Sequence, residues 1–296
     1  LEEVKRWQEV NQDLKQQGMP DTNDEYFIYQ TLVATYPELE EEEEVYLERL
    51  HLYLEKALRE SKRNSSWEEP NAKYEQNTKD FISVILDKER PFWTNFKQFH
   101  QKVCQWGRIN SLSALLLKFG CPGVPDIYQG DGLWDLSLVD PDNRRLVDYE
   151  LRSKFLNEIK QGHVTLQSLW KQGANGKIKM FLLHHLLTLR NLLPLLFSEG
   201  QYLPVTVKGK HAAHLLSFAR QYKNDWLVFV LPLNLAAVMK DPQDLDGFWE
   251  DTRLVMPEGI PENFSEQLGD VKGNSESELE VKEILSRFPM AILHFK

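Results

Sequence analysis

The chain has 296 residues, 42% apolar and 27% charged, a balance that suits one large or two ordinary packed domains and excludes wholesale disorder. A net charge of -10 and a pI of about 5.4 argue against a general nucleic-acid or anionic-membrane surface. No apolar run approaches the roughly 20 residues of a bilayer span, so no membrane partner is expected.

The first 120 residues read as helices. Leu1 opens inside a helical pattern with no N-cap, so residues upstream are expected; Val4, Trp7, Val10 and Leu14 form its stripe and Gly18 can end it. "TNDEYFIYQTLVATYP" offers Asn23 as an N-cap and Pro37 as a stop. The glutamates from Glu40 to Glu44 suit a solvated helix N-terminus, and Leu47, Leu50, Leu54 and Leu58 then give one apolar face. After the loop "SKRNSSWEEPN", Tyr74, Phe81 and Ile85 mark another helix. "RPFWTNFKQFHQKVCQWG" carries Phe92, Phe96, Phe99, Val103 and Trp106 at helical spacing, which reads as core. "RINSLSALLLKFG" follows, with Gly120 as the expected C′ cap. His51, His100, His184 and His185 lie in helical patterns without partners at metal-ligand spacing, so no metal or other cofactor is expected. Cys104 and Cys121 make neither a disulfide framework nor a zinc motif and read as reduced, buried thiols of a cytoplasmic protein.

At Cys121 the period changes. "GVPDIYQG" is short, apolar and bounded by Pro and Gly, which suits a parallel strand buried on both faces. A polar, aperiodic loop follows, then the helical "YELRSKFLNEIKQG" and "IKMFLLHHLLTLRNLLPLLF". Beyond Ser198 the chain becomes strand-like, with a hairpin around Lys223–Asp225 and further strands in "DTRLVMPEG" and "FPMAILHFK". "GDVKGNSESELEV" reads as an exposed loop. The fold class is therefore α+β: a helical region at 1–120, a strand and helix of an incomplete (β/α)8 barrel at 121–198, and an antiparallel β-sandwich at 199–296.

"PGVPDIYQG" resembles the last barrel strand of the α-amylase superfamily of glycoside hydrolases. "GLWDLSLVDPDNRRLVDYELR", "NDEYFIYQTL", "SSWEEPNAKYE", "INSLSALLLKFGCPGVPDIYQG" and "LFSEGQYLPV" with "LLSFAR" narrow the resemblance to the maltooligosyltrehalose synthase family. The chain departs from that pattern at Asp131–Gly132, where Thr-Glu is usual, and at Leu146, where Pro is usual. The resemblance implies an intramolecular transglucosylation: the reducing-end α-1,4 bond of a maltooligosaccharide is cleaved and the glucose rejoined through its anomeric hydroxyl. Such a retaining reaction needs a nucleophilic carboxylate and a carboxylic acid roughly 5 Å apart, with water kept away. The resemblance puts these groups before Leu1, so no residue here is assigned as catalytic and the partner is an upstream barrel portion of the same enzyme.

The polar loop has the groups a sugar pocket uses. Trp134 offers an apolar face, Asp135, Asp140, Asp142 and Asn143 accept from hydroxyls, and Arg144 and Arg145 donate; Tyr128 and Gln129 sit at the expected strand end. The same acids could instead turn and cap the loop, with the arginines as internal ion-pair partners. A noncatalytic carbohydrate-binding or interaction module is the alternative reading; it leaves a lone parallel strand unexplained.

Overall fold

The computed structural model describes residues 1–296 except Asp246, Asp270 and Glu276. The chain divides into two compact units, residues 1–104 with 135–147 and residues 105–134 with 148–296.

The first unit is helical. Helix α1 (Glu2–Asn11) runs into a short 3-10 turn, and α2 (Thr22–Thr35) follows. The N-cap of α2 is Asp21, not Asn23: its Oδ1 accepts from Asp24 N at 2.9 Å. Helix α3 (Glu40–Ser61) buries Tyr46, Leu50, Leu54 and Leu58, while α4 (Ala72–Ile85) starts on the Asn71 cap. These helices and the first half of α5 (Pro91–Gly120) enclose Trp7, which meets Tyr29, Phe92, Phe96 and Phe99 edge-on at 5.4–6.0 Å. The aromatic stripe of α5 is thus core in this unit. Glu43 of the glutamate run is tied inward, by Lys88 at 2.9 Å and Lys97 at 3.2 Å.

Helix α5 continues without a break through Gly107, where two helical stretches meet in the sequence. Gly120 lies inside the helix and owes its place to close approach: a Cβ there would sit 2.7 Å from the Phe218 ring.

The second unit joins helices α6 (Tyr149–Lys160), α7 (Leu166–Lys171), α8 (Lys177–Leu192) and α9 (Pro194–Ser198) to two antiparallel sheets. Pro194 at the first turn of α9 separates it from α8. The larger sheet runs β1-β3-β4-β9-β6-β7: β1 (Gln201–Pro204), β3 (Leu215–Tyr222), β4 (Asp225–Pro232), β9 (Ala291–Phe295), β6 (Asn263–Glu266) and β7 (Lys272–Asn274). The smaller runs β2-β5-β8: β2 (Thr206–Lys208), β5 (Arg253–Val255) and β8 (Glu278–Glu280). The hairpin forms as read, with Tyr222 opposite Asp225 and Lys223 at φ 54. The stretch 269–281, read as a loop, contains β7, β8 and the start of the short α10 (Val281–Ile284), because Leu279 and Val281 are buried; its Asp270 and Glu276 lie outside the described residues. Phe218, Phe229, Leu254, Leu279 and Leu293 from both sheets share one core with α5 and α8 residues such as Phe119 and Leu186.

The expected parallel strand at Gly123–Gly130 is not formed. A parallel strand needs a neighbour for its slanted ladder, and every strand pair among the described residues is antiparallel. Residues 124–128 take no regular secondary structure, and Val124 and Tyr128 are 95% and 74% exposed.

Arg220 of β3 is fully buried and donates to the carbonyls of Gly120, Leu196, Phe197 and Gly200 at 2.9–3.2 Å. Arg190 of α8 donates at 2.8 Å to Phe119 O and Gly123 O. Two guanidinium groups thereby satisfy the carbonyls left over at the ends of α5 and α9.

Candidate functional site

The polar segment falls in both units, and each part has its own support. In the first unit, residues 135–147 fold as a loop with a single 3-10 turn at Asp142–Arg144, after a cis Asp140–Pro141 peptide. Asp135 accepts from Ser137 N at 3.0 Å and Ser137 Oγ at 2.5 Å, an Asx turn. Asp142 is the most committed group. Its carboxylate takes both prongs of Arg49 at 2.8 Å and Leu138 N at 2.7 Å, with the Arg145 guanidinium 3.2 Å away. Burial works to raise the Asp142 pKa, but the Arg49 and Leu138 hydrogen bonds and the charges of Arg49 and Arg145 outweigh it and hold the carboxyl below its ordinary value.

Arg145 also donates to Ser137 Oγ at 3.0 Å and Asp142 O at 3.1 Å, so it is an internal tie. Asp140 is held from both sides: Lys56 donates to its carbonyl at 2.6 Å, and Arg144 pairs with its carboxylate. Arg144 stays 77% exposed, and the exposed Asn143 side chain has no hydrogen-bond partner among the described residues. The outward-facing donors and acceptors are therefore Asn143, Arg144 and parts of Asp135 and Asp140, whereas Asp142 and Arg145 are spent inside the loop.

In the second unit, Tyr128 and Gln129 are exposed on a turn closed by Asp131 N to Tyr128 O at 3.0 Å. Arg152 of α6 fixes this turn through Gly130 O at 2.7 Å. Asp131 is ion-paired to Lys179 at 2.6 Å and lies 3.6 Å from Lys118. Trp134 is half-buried; its indole N–H donates to Gly173 O at 2.7 Å and Lys179 lies over its ring at 5.9 Å. Gly176 is required beneath it, because at φ 74 a Cβ would come 2.8 Å from Trp134 N.

Arg49, Lys56 and Lys179 escape a reading of the loop's own sequence. The available signal is helical: Arg49 and Lys56 are seven apart on one face of α3, and Arg49 has no acid four residues away on its own helix. Among the described residues, no group of His, Cys, Asp and Glu could hold a metal ion, and no helix is long and apolar enough to cross a membrane.

No protein-family profile matches the chain. A curated protein of Mycobacterium tuberculosis, named as a maltooligosyl trehalose synthase, is 33% identical over 240 residues, covering 81% of this chain and 28% of its own length. The maltooligosyltrehalose synthase structure from Arthrobacter ramosus superposes with a TM-score of 0.76 at 27% identity, over 99% of this chain and 35% of that one. A maltooligosyl trehalose synthase structure from Sulfolobus tokodaii gives a TM-score of 0.69 at 25% identity, over 100% of this chain and 34% of its own. The chain thus spans about a third of the length of these proteins. Alike in sequence and in fold, the chain matches the C-terminal part of maltooligosyltrehalose synthases.

Proposed function

We propose that this chain is the part of a maltooligosyltrehalose-forming enzyme, an isomerase, that recognises the maltooligosaccharide chain and contributes no catalytic carboxylate. The observation that carries the proposal is the hydrogen-bonded loop 135–147, which keeps Asn143 and Arg144 exposed while the Asp142 side chain is buried against Arg49. Hydroxyl-rich ligands are bound by preset donors and acceptors of this kind, since a mobile loop would lose its ordering entropy on binding. In this reading Asn143, Arg144, Asp140 and Asp135 meet sugar hydroxyls. Trp134, Tyr128 and Gln129 offer ring faces and an amide, and Asp142 and Arg145 order the loop. The domains follow the same reading: a helical insertion at 1–120, barrel-derived strand and helices at 121–198, and a β-sandwich at 199–296 whose role is stability. The stretch at 124–128, exposed at Val124 and Tyr128 and without regular structure here, fits a strand whose ladder partners belong to an upstream barrel.

Calorimetric titration with maltoheptaose tests this, with cellohexaose as the β-linked control. Saturable binding of maltoheptaose alone, weakened by Arg144→Ala together with Asn143→Ala, is the expected result. A wild-type chain that takes up neither sugar overturns the proposal. Equal uptake of both points to the alternative, an unspecialised carbohydrate-binding module.

A further inference from the structure

We infer that Arg49 and Lys56 of α3 are positioning residues that set glucan affinity through the 135–147 loop, an inference that rests on the function proposed above. The loop is mostly polar: it buries Leu138 but leaves Val139 and Leu146 exposed, while order costs it roughly 1–2 kcal/mol per residue in backbone entropy. Its internal hydrogen bonds are joined by two ties from outside the loop. Arg49 grips both carboxylate oxygens of Asp142 and reaches Leu136 O at 3.3 Å. Lys56, two helical turns along the same face, takes Asp140 O at 2.6 Å and approaches its carboxylate at 3.7 Å. The contact residues are well covered, with Arg49, Lys56 and Asp142 side chains 14%, 22% and 8% exposed. Geometry at both ends of the 3-10 turn is therefore fixed by one rigid helix, and the turn can only present Asn143 and Arg144 outward. The fork shape matters: Lys at 49 would keep the charge but could not hold both oxygens of Asp142 in one plane.

The test follows amide exchange at Leu138, whose N–H is bonded to Asp142, together with maltoheptaose affinity, in Arg49→Ala, Arg49→Lys, Asp142→Asn and the Arg49→Ala/Asp142→Asn double variant. Each single variant should speed exchange at Leu138 while helix α4 exchanges as before, and should weaken affinity about tenfold. The double variant should bind no worse than the weaker single one, because both residues act through one contact. Millimolar guanidinium should restore affinity to Arg49→Ala and leave Asp142→Asn unchanged. Should Arg49→Ala fail to fold, Arg49→Lys carries the same comparison. Unchanged Leu138 exchange, or wild-type affinity despite faster exchange, overturns the inference. If the wild-type chain takes up no maltoheptaose, the proposed function fails by itself, and exchange at Leu138 still decides whether Arg49 holds the loop.

Discussion

A buried arginine without a carboxylate partner is uncommon, and Arg220 takes its acceptors entirely from backbone carbonyls. Replacing it by Met keeps the apolar stem and strands four carbonyls. We expect Arg220→Met to cost about 3 kcal/mol, seen as a lower urea midpoint at unchanged slope, with Arg220→Lys recovering only part. A midpoint equal to wild type would remove Arg220 from the second unit's supports. His100 makes the first unit sensitive to acid in a different way. Burial, helped by the charge of Lys97 and opposed by the Tyr36 backbone, lowers its pKa to about 4. The unfolded chain binds this proton near pH 6.5 and the folded chain only near 4, so stability is complete above about 6.5 and declines as pH falls toward 4. The full span amounts to about 3 kcal/mol. His100→Gln should flatten the melting temperature of the helical unit across that window.

At the scale of elements, α5 and the 135–147 loop show opposite strategies. Helix α5 runs 30 residues with Gly107 in its interior, and nothing lies within 4 Å of where a Cβ would stand. Gly107→Ala should therefore stabilise the protein by about 0.5–1 kcal/mol, read as a rise of a few degrees in Tm; a fall would mean that the helix needs flexibility there. The loop has no such intrinsic order and depends on the Asp142 carboxylate being charged. That carboxyl is held below its ordinary value, so its contribution is intact above about pH 4 and is lost as pH falls through the depressed value. Exchange at Leu138 should accelerate in that acid range. Asp142→Asn should show the faster exchange already at neutral pH.

For the whole molecule, the helices and the hairpin were legible because their signals are local: the Pro37 stop for α2, a 3.6-residue stripe for α3 and α4, and alternation across Lys223–Asp225 for β3 and β4. The unformed strand at 124–128 was misleading because an apolar run between Pro and Gly states a burial need, and the neighbours that meet that need are set by topology. The division of labour within the candidate loop was also hidden. Asp142 and Asn143 are adjacent and chemically similar in the sequence. Arg49, 93 positions away, helps make the first a support, while the second stays exposed. One consequence for activity can be checked directly. Since no residue here is assigned as nucleophile or acid, incubation of the purified chain with maltopentaose should yield no non-reducing product. Turnover abolished by a substitution in this chain would show that it holds a catalytic group after all.

The order of the larger sheet has a consequence for how the molecule is assembled. Strand β9 lies between β4 and β6 and, among the described residues, is the strand that joins the halves β1-β3-β4 and β6-β7. Its residues Ile292 and Leu293 are fully buried. Until Ala291–Phe295 docks, β4 presents an apolar open edge and the β6-β7 pair has no sheet to join. Closure is thus a long-range event in which this strand enters as a keystone, and until it does the sheet is open to pairing with another chain.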